Sequence, residues 1–151
     1  MNKLRELLAT CFYVGYIPGV PGTWGSLLAF GVFLIAGRPI RNTGWVVFLG
    51  LVFVSIFALF RTKQVFGDND PRPVVLDEFA GMWLTFLVGA STSLILLCLG
   101  FAAFRAFDAV KPFPICRIEK VPGWRGVLAD DLAAGLAAGI IVRLAGLFVY
   151  A

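Results

Sequence analysis

Seven of the nine acidic residues in this 151-residue chain form a pattern: Asp68, Asp70, Asp77, Glu78, Asp108, Asp130 and Asp131. Only Glu6 and Glu119 stand apart from it. Carboxylates gathered at one point repel and raise one another's pKa unless a cation lies between them. The chain contains no histidine, which excludes a Ser-His-Asp triad, phosphohistidine chemistry and His-ligated zinc. An all-oxygen donor set suits Mg²⁺, Mn²⁺ or Ca²⁺. The competing reading is helix capping. Asp77 and Glu78 before Phe79, and Asp130 and Asp131 before Leu132, would serve equally as first-turn acids favoured by the helix dipole. Each pair alone reads as a cap; three clusters on one predicted face favour a metal site.

Cations accompany the acids. In the stretch 104–112, Asp108 and Lys111 share a helix face at i, i+3, with Arg105 one turn back. This is either an ordinary intrahelical salt bridge or a metal-ligating carboxylate beside two phosphate-binding cations. Pro112 and Pro114 should end that helix. The Pro/Gly-rich turn Pro18-Gly19-Val20-Pro21-Gly22-Thr23-Trp24-Gly25-Ser26 runs into an apolar helix and offers free backbone N–H groups and the hydroxyls of Thr23 and Ser26 as an anion cradle. Cys11, Cys98 and Cys116 are too few and scattered for a disulfide framework. None begins a Cys-x5-Arg loop, so thiol-phosphatase chemistry is excluded.

The elements that must hold these groups are apolar. Hydrophobic residues make up 60% of the chain and charged ones 15%, and mean hydropathy is +0.90. With glycine the apolar share reaches about 70%, against roughly 45–50% in ordinary globular chains. A soluble fold of this size could not hide that surface, so an all-α, compact multi-helix membrane bundle is expected, as a single domain over 1–151. Apolar stretches lie at 26–37, 44–60, 79–104 and 132–151. The third is too long for one helix and carries Gly89-Ala90-Ser91-Thr92-Ser93 at its middle, so it should form a hairpin of two short, half-spanning helices. Segments 1–25, 61–78 and 105–131 then share one face and hold ten of the thirteen Lys and Arg residues. A single crossing would split them five against seven. The positive-inside rule prefers the hairpin and puts the acid-rich face at the cytoplasmic membrane interface. Arg143, inside the last stretch, is either an intramembrane functional cation or a snorkelling one. The N-terminus lacks the long apolar core and cleavage site of a signal peptide. The basic residues form no aromatic-interleaved polar face, so no nucleic acid is expected, and no obligate protein partner is evident.

Four ordered segments carry a family resemblance: PGTWGS at 21–26, DPRPVVLDEFAG at 70–81, FRAFDAVKPFPI at 104–115 and GVLADDLAAG at 126–135. Their order and spacing resemble phosphatidylglycerophosphatase A over nearly the whole chain. The resemblance implies an all-helical, Mg²⁺-dependent lipid phosphatase of the bacterial cytoplasmic (inner) membrane, converting phosphatidylglycerophosphate to phosphatidylglycerol and phosphate. Asp70, Asp77, Glu78, Asp108, Lys111, Asp130 and Asp131 sit on the family pattern; Asp68 falls outside it. On that basis Asp77, Glu78, Asp130 and Asp131 are expected to form the metal core, with Asp70 and Asp108 completing it or orienting water. Lys111 and Arg105 would bind phosphate, and Thr23 and Ser26 the headgroup. Two other classes fit less well. CDP-alcohol phosphotransferases need a spaced Asp-Gly-x2-Ala-Arg segment that is absent here. A cation transporter or channel using the carboxylate cluster would place its acids at the bilayer midplane in broken helices, whereas these lie at helix ends.

Overall fold

A computed structural model describes residues 2–36, 40–68 and 70–149. They form eight α-helices and a 3-10 turn at Val14–Tyr16, with no strand among the described residues. The helices are α1 (Asn2–Ala9), α2 (Pro21–Ala36), α3 (Ile40–Leu59), α4 (Thr62–Phe66), α5 (Leu76–Gly89), α6 (Leu94–Val110), α7 (Ile115–Ile118) and α8 (Trp124–Val149). The all-α expectation therefore holds. Arg38 lies outside the described residues, as does the side chain of Arg41.

The long apolar stretch 79–104 breaks where its small polar turn falls. α5 stops at Gly89, Ala90 takes a left-handed conformation, and α6 starts at Leu94. Helices start ahead of the apolar stretches, by most at α2 and α8. α2 begins at Pro21, so the Pro/Gly segment forms the opening turns of the helix, with proline at the first position where its missing N–H costs nothing. α8 begins at Trp124, two turns before the apolar run at 132. Asp130 and Asp131 are therefore interior helix residues, and capping does not account for them.

α5 and α8 form the central pair. Their backbones approach so closely that a Cβ on Gly81 would lie 2.6 Å from the Asp131 carbonyl oxygen, and one on Gly135 would lie 3.1 Å from Gly81 Cα. Small residues at four-residue spacing permit this approach, as in helix pairs within membranes. The Thr85 hydroxyl, fully buried, reaches the Gly81 and Gly135 carbonyls at 3.1 and 3.2 Å. Around this pair packs an apolar layer that includes Met82, Phe86, Leu97, Phe104, Ala134 and Ala138. Phe33 of α2 meets Phe86 at 4.7 Å between ring centroids. The consequence for the site is direct: the seam fixes Asp77 and Glu78 of α5 against Asp130 and Asp131 of α8.

The outside of the bundle is as apolar as its core. Ile35, Phe53, Ile95 and Phe148 are all more than two-thirds exposed, a pattern that needs lipid or another apolar cover. α8 has the length and hydropathy to cross a bilayer, and only 28% of its apolar window is buried in the protein. α2 and the apolar part of α3 are shorter. The chain is a membrane-associated protein.

Candidate active site

Asp77 and Glu78 occupy the first turn of α5, and Asp131 faces them across the glycine seam. One carboxylate oxygen from each of the three lies within 4.8 Å of the others. Asp77 and Asp131 are buried; the Glu78 N–H donates to Asp77 Oδ1 at 3.1 Å. Glu78 Oε2 is buried and accepts no hydrogen bond from any described residue. Burial holds the Asp77 carboxyl above its usual range. It pushes Glu78 much further up, helped by the charges of Asp77 and Asp131. An orphaned carboxylate oxygen at the centre of three acids is the donor set one divalent cation requires.

The neighbouring acids have a different task. Arg105 Nη1 donates to Asp108 Oδ2 at 2.6 Å, and Lys111 Nζ donates to Asp130 Oδ2 at 2.6 Å and to Glu119 Oε1 at 3.0 Å. Desolvation works to lower the Lys111 pKa, but its hydrogen bonds to Asp130 and Glu119 outweigh it and hold the ammonium charged above its ordinary value. Asp108 lies near the C-terminus of α6, where the helix dipole disfavours an anion; Arg105 compensates it. These two cations are thus tied to acids outside the trio, and Asp77, Glu78 and Asp131 have no ion-pair partner among the described residues.

All seven residues on the family pattern line one cleft of about 350 Å³: Asp70, Asp77, Glu78, Asp108, Lys111, Asp130 and Asp131. Of the six acids expected to ligate metal, three converge. Asp108 and Asp130 line the same cleft paired with Arg105 and Lys111, and Asp70 lines it from an exposed position. Within this stretch the intrahelical salt bridge forms between Arg105 and Asp108, while Lys111 pairs elsewhere. Lys111 is the residue after α6 and takes a left-handed conformation, which turns its side chain off the helix face towards α8. Of the expected substrate-binding residues Lys111 lines the cleft; Arg105, Thr23 and Ser26 do not, Arg105 reaching it through Asp108. Ser26 is fully buried and its hydroxyl donates to the Gly22 carbonyl at 2.8 Å, so it has no proton to offer a headgroup.

Two further residues bear on the site. Glu119 stood outside the acid pattern, and nothing in its spacing signals the pairing with Lys111. Gly22 approaches the site through space: a Cβ there would lie 3.2 Å from Glu78 Cδ and from Arg105 Nη1, and closer still to Glu78 Oε1. The opening turn of α2 therefore closes over Glu78 and Arg105 with backbone alone.

Known proteins supply the class. The chain is 36% identical over 144 residues to Phosphatidylglycerophosphatase A of Escherichia coli K12, covering 93% of this chain and 83% of that one. It is 35% identical over 141 residues to Phosphatidylglycerophosphatase A of Haemophilus influenzae, covering 91% and 85%. A Bacteroides thetaiotaomicron protein with the provisional name phosphatidylinositol-3-phosphatase is 32% identical over 149 residues, covering 94% and 93%. The class is that of the phosphoric monoester hydrolases. The sequence profile described as Phosphatidylglycerophosphatase A matches residues 7–146, and the chain belongs to the phosphatidylglycerophosphatase A family. No solved structure matches it. Membership of an enzyme family turns against the transporter alternative, as does the absence of any acidic residue from 79–107 and 132–151.

Proposed function

We propose that the chain is a Mg²⁺-dependent phosphatase that hydrolyses phosphatidylglycerophosphate to phosphatidylglycerol and phosphate at the cytoplasmic face of a bacterial inner membrane. The observation that carries the proposal is the Asp77–Glu78–Asp131 trio with its orphaned Glu78 oxygen, set within a cleft that also presents Lys111. These three residues would hold Mg²⁺, which when bound neutralises phosphate charge and lowers the pKa of an attacking water.

The chain's own groups position the substrate. Lys111 and Arg105 present charged donors to the phosphomonoester oxygens, and Asp130, Glu119 and Asp108 hold those donors in place. Phosphoryl transfer depends mainly on positioning and charge neutralisation, which this set supplies without histidine. The apolar surface of the bundle keeps the cleft at headgroup level, where the lipid presents its phosphate. The ten basic residues on the predicted cytoplasmic face attract the anionic substrate.

The test is turnover in mixed micelles, comparing phosphatidylglycerophosphate with phosphatidylinositol 3-phosphate. Phosphate release from phosphatidylglycerophosphate that is lost in Asp131→Asn, with weaker release from the inositol lipid, supports the assignment. Faster release from phosphatidylinositol 3-phosphate would overturn the substrate, and no release from either lipid would overturn the enzyme.

A further inference from the structure

A larger cavity, of about 700 Å³, opens away from the carboxylate cleft. Its walls include Phe33 of α2, Trp45 of α3, Phe86 of α5, Ser91 and Thr92 of the α5–α6 turn, and Arg143 of α8. Arg143 is twelve residues beyond Asp131, about 18 Å along the helix. It is exposed, and among the described residues no ion pair or hydrogen bond engages it. The elements that wall the cavity cannot supply an acid, because no Asp or Glu occurs in 7–67, 79–107 or 132–151.

An uncompensated guanidinium in a helix long and apolar enough to cross a bilayer calls for an anion. The surroundings define which kind. Guanidinium geometry matches the oxygens of a phosphate. The Ser91 hydroxyl accepts from the Ser93 N–H at 3.1 Å, leaving its own proton for another acceptor, and Thr92 adds a second hydroxyl at the same turn. The remaining wall is aromatic and aliphatic, which suits an alkyl chain. The cavity volume falls in the range of sites that enclose small molecules.

We propose that this cavity binds one molecule of an acidic phospholipid, its phosphate on Arg143 and the Ser91–Thr92 turn and an acyl chain along the Phe33, Trp45 and Phe86 rings. The site is separate from the carboxylate cleft and does not rest on the phosphatase reading.

The experiment is native mass spectrometry of the full chain released from detergent micelles containing equal phosphatidylglycerol and phosphatidylcholine with identical acyl chains. The wild type should retain one lipid with about a tenfold preference for phosphatidylglycerol. Arg143→Gln should abolish the preference and Arg143→Lys should keep part of it. Excess inorganic phosphate should not displace the lipid, because the alkyl contacts would be missing. Leu34→Trp, which fills the cavity from its half-exposed wall with the charge intact, should release the lipid. Equal retention of the two lipids by the wild type would overturn the proposal, as would displacement by inorganic phosphate alone or an undiminished preference in Arg143→Gln. If Arg143→Gln loses its helical circular dichroism, Leu34→Trp decides: lipid lost supports the site, lipid retained overturns it.

Discussion

Alanine at Gly22 tests the proposed geometry without removing any functional group. A Cβ at this position meets Glu78 Cδ and Arg105 Nη1 at 3.2 Å and meets Glu78 Oε1 inside any tolerable contact. The Glu78 carboxylate must withdraw by about 1 Å to restore ordinary contact. Displacing a reacting group by that much lowers rate by about 100-fold, equivalent to about 2.7 kcal/mol of transition-state stabilisation. Stability should move the other way or not at all, because alanine is the better helix former within α2. Gly31→Ala is the matched control: it lies on the same helix and its Cβ would meet nothing within 4 Å. The assay is initial phosphate release from the lipid phosphomonoester, alongside thermal unfolding of each variant. Gly22→Ala activity within about threefold of wild type, in a folded protein, would refute the placement of Glu78 in the reacting constellation.

Other outcomes follow from the same geometry. Asp77→Asn should abolish phosphate release yet leave the metal-free protein at least as stable, since it removes one of three mutually repelling acids; a thermal midpoint in EDTA well below wild type would contradict this. Because folding raises the Glu78 pKa, the folded state holds the proton more tightly than the unfolded one, so metal-free stability should fall as pH rises through the raised range. Added Mg²⁺ should reverse that slope, and an unchanged slope in thermal scans with Mg²⁺ would count against cation binding. Burial, with the Asp77 charge adding to it, pushes the Cys11 thiol up to about 12, so maleimide should leave Cys11 unmodified in the native protein and react with it only after unfolding. Cys116 should label from the cytoplasmic side of sealed vesicles; labelling from the outer side alone would contradict the proposed hairpin orientation.

The parts legible in the sequence share a physical cause. Prolines, glycines and small polar residues have local effects, so the break at 90–93 and the end of α6 before Pro112 could be read directly. The acid pattern was legible because membrane helices do not tolerate idle charge, and six of its seven acids, all but Asp68, line one cleft. What was not legible depends on backbone direction. The left-handed Lys111 turns its ammonium to Asp130 and Glu119, so of the two cations flanking Asp108 only Arg105 pairs with it along the helix. α8 starts at Trp124 on residues of ordinary polarity, which hydropathy cannot mark, and this moves Asp130 and Asp131 into the helix interior. Ser26 has the right type for a headgroup contact, but the helix beginning at Pro21 turns its hydroxyl back on the Gly22 carbonyl. Gly22 carries no functional atom, and its role is visible only once Glu78 and Arg105 are beside it.

The most direct measurement is phosphate release from phosphatidylglycerophosphate by protein stripped with EDTA and then titrated with Mg²⁺. The trio of Asp77, Glu78 and Asp131 predicts negligible release after stripping and saturable recovery with Mg²⁺. Full release from the stripped protein, or no release at any Mg²⁺ concentration, would contradict it.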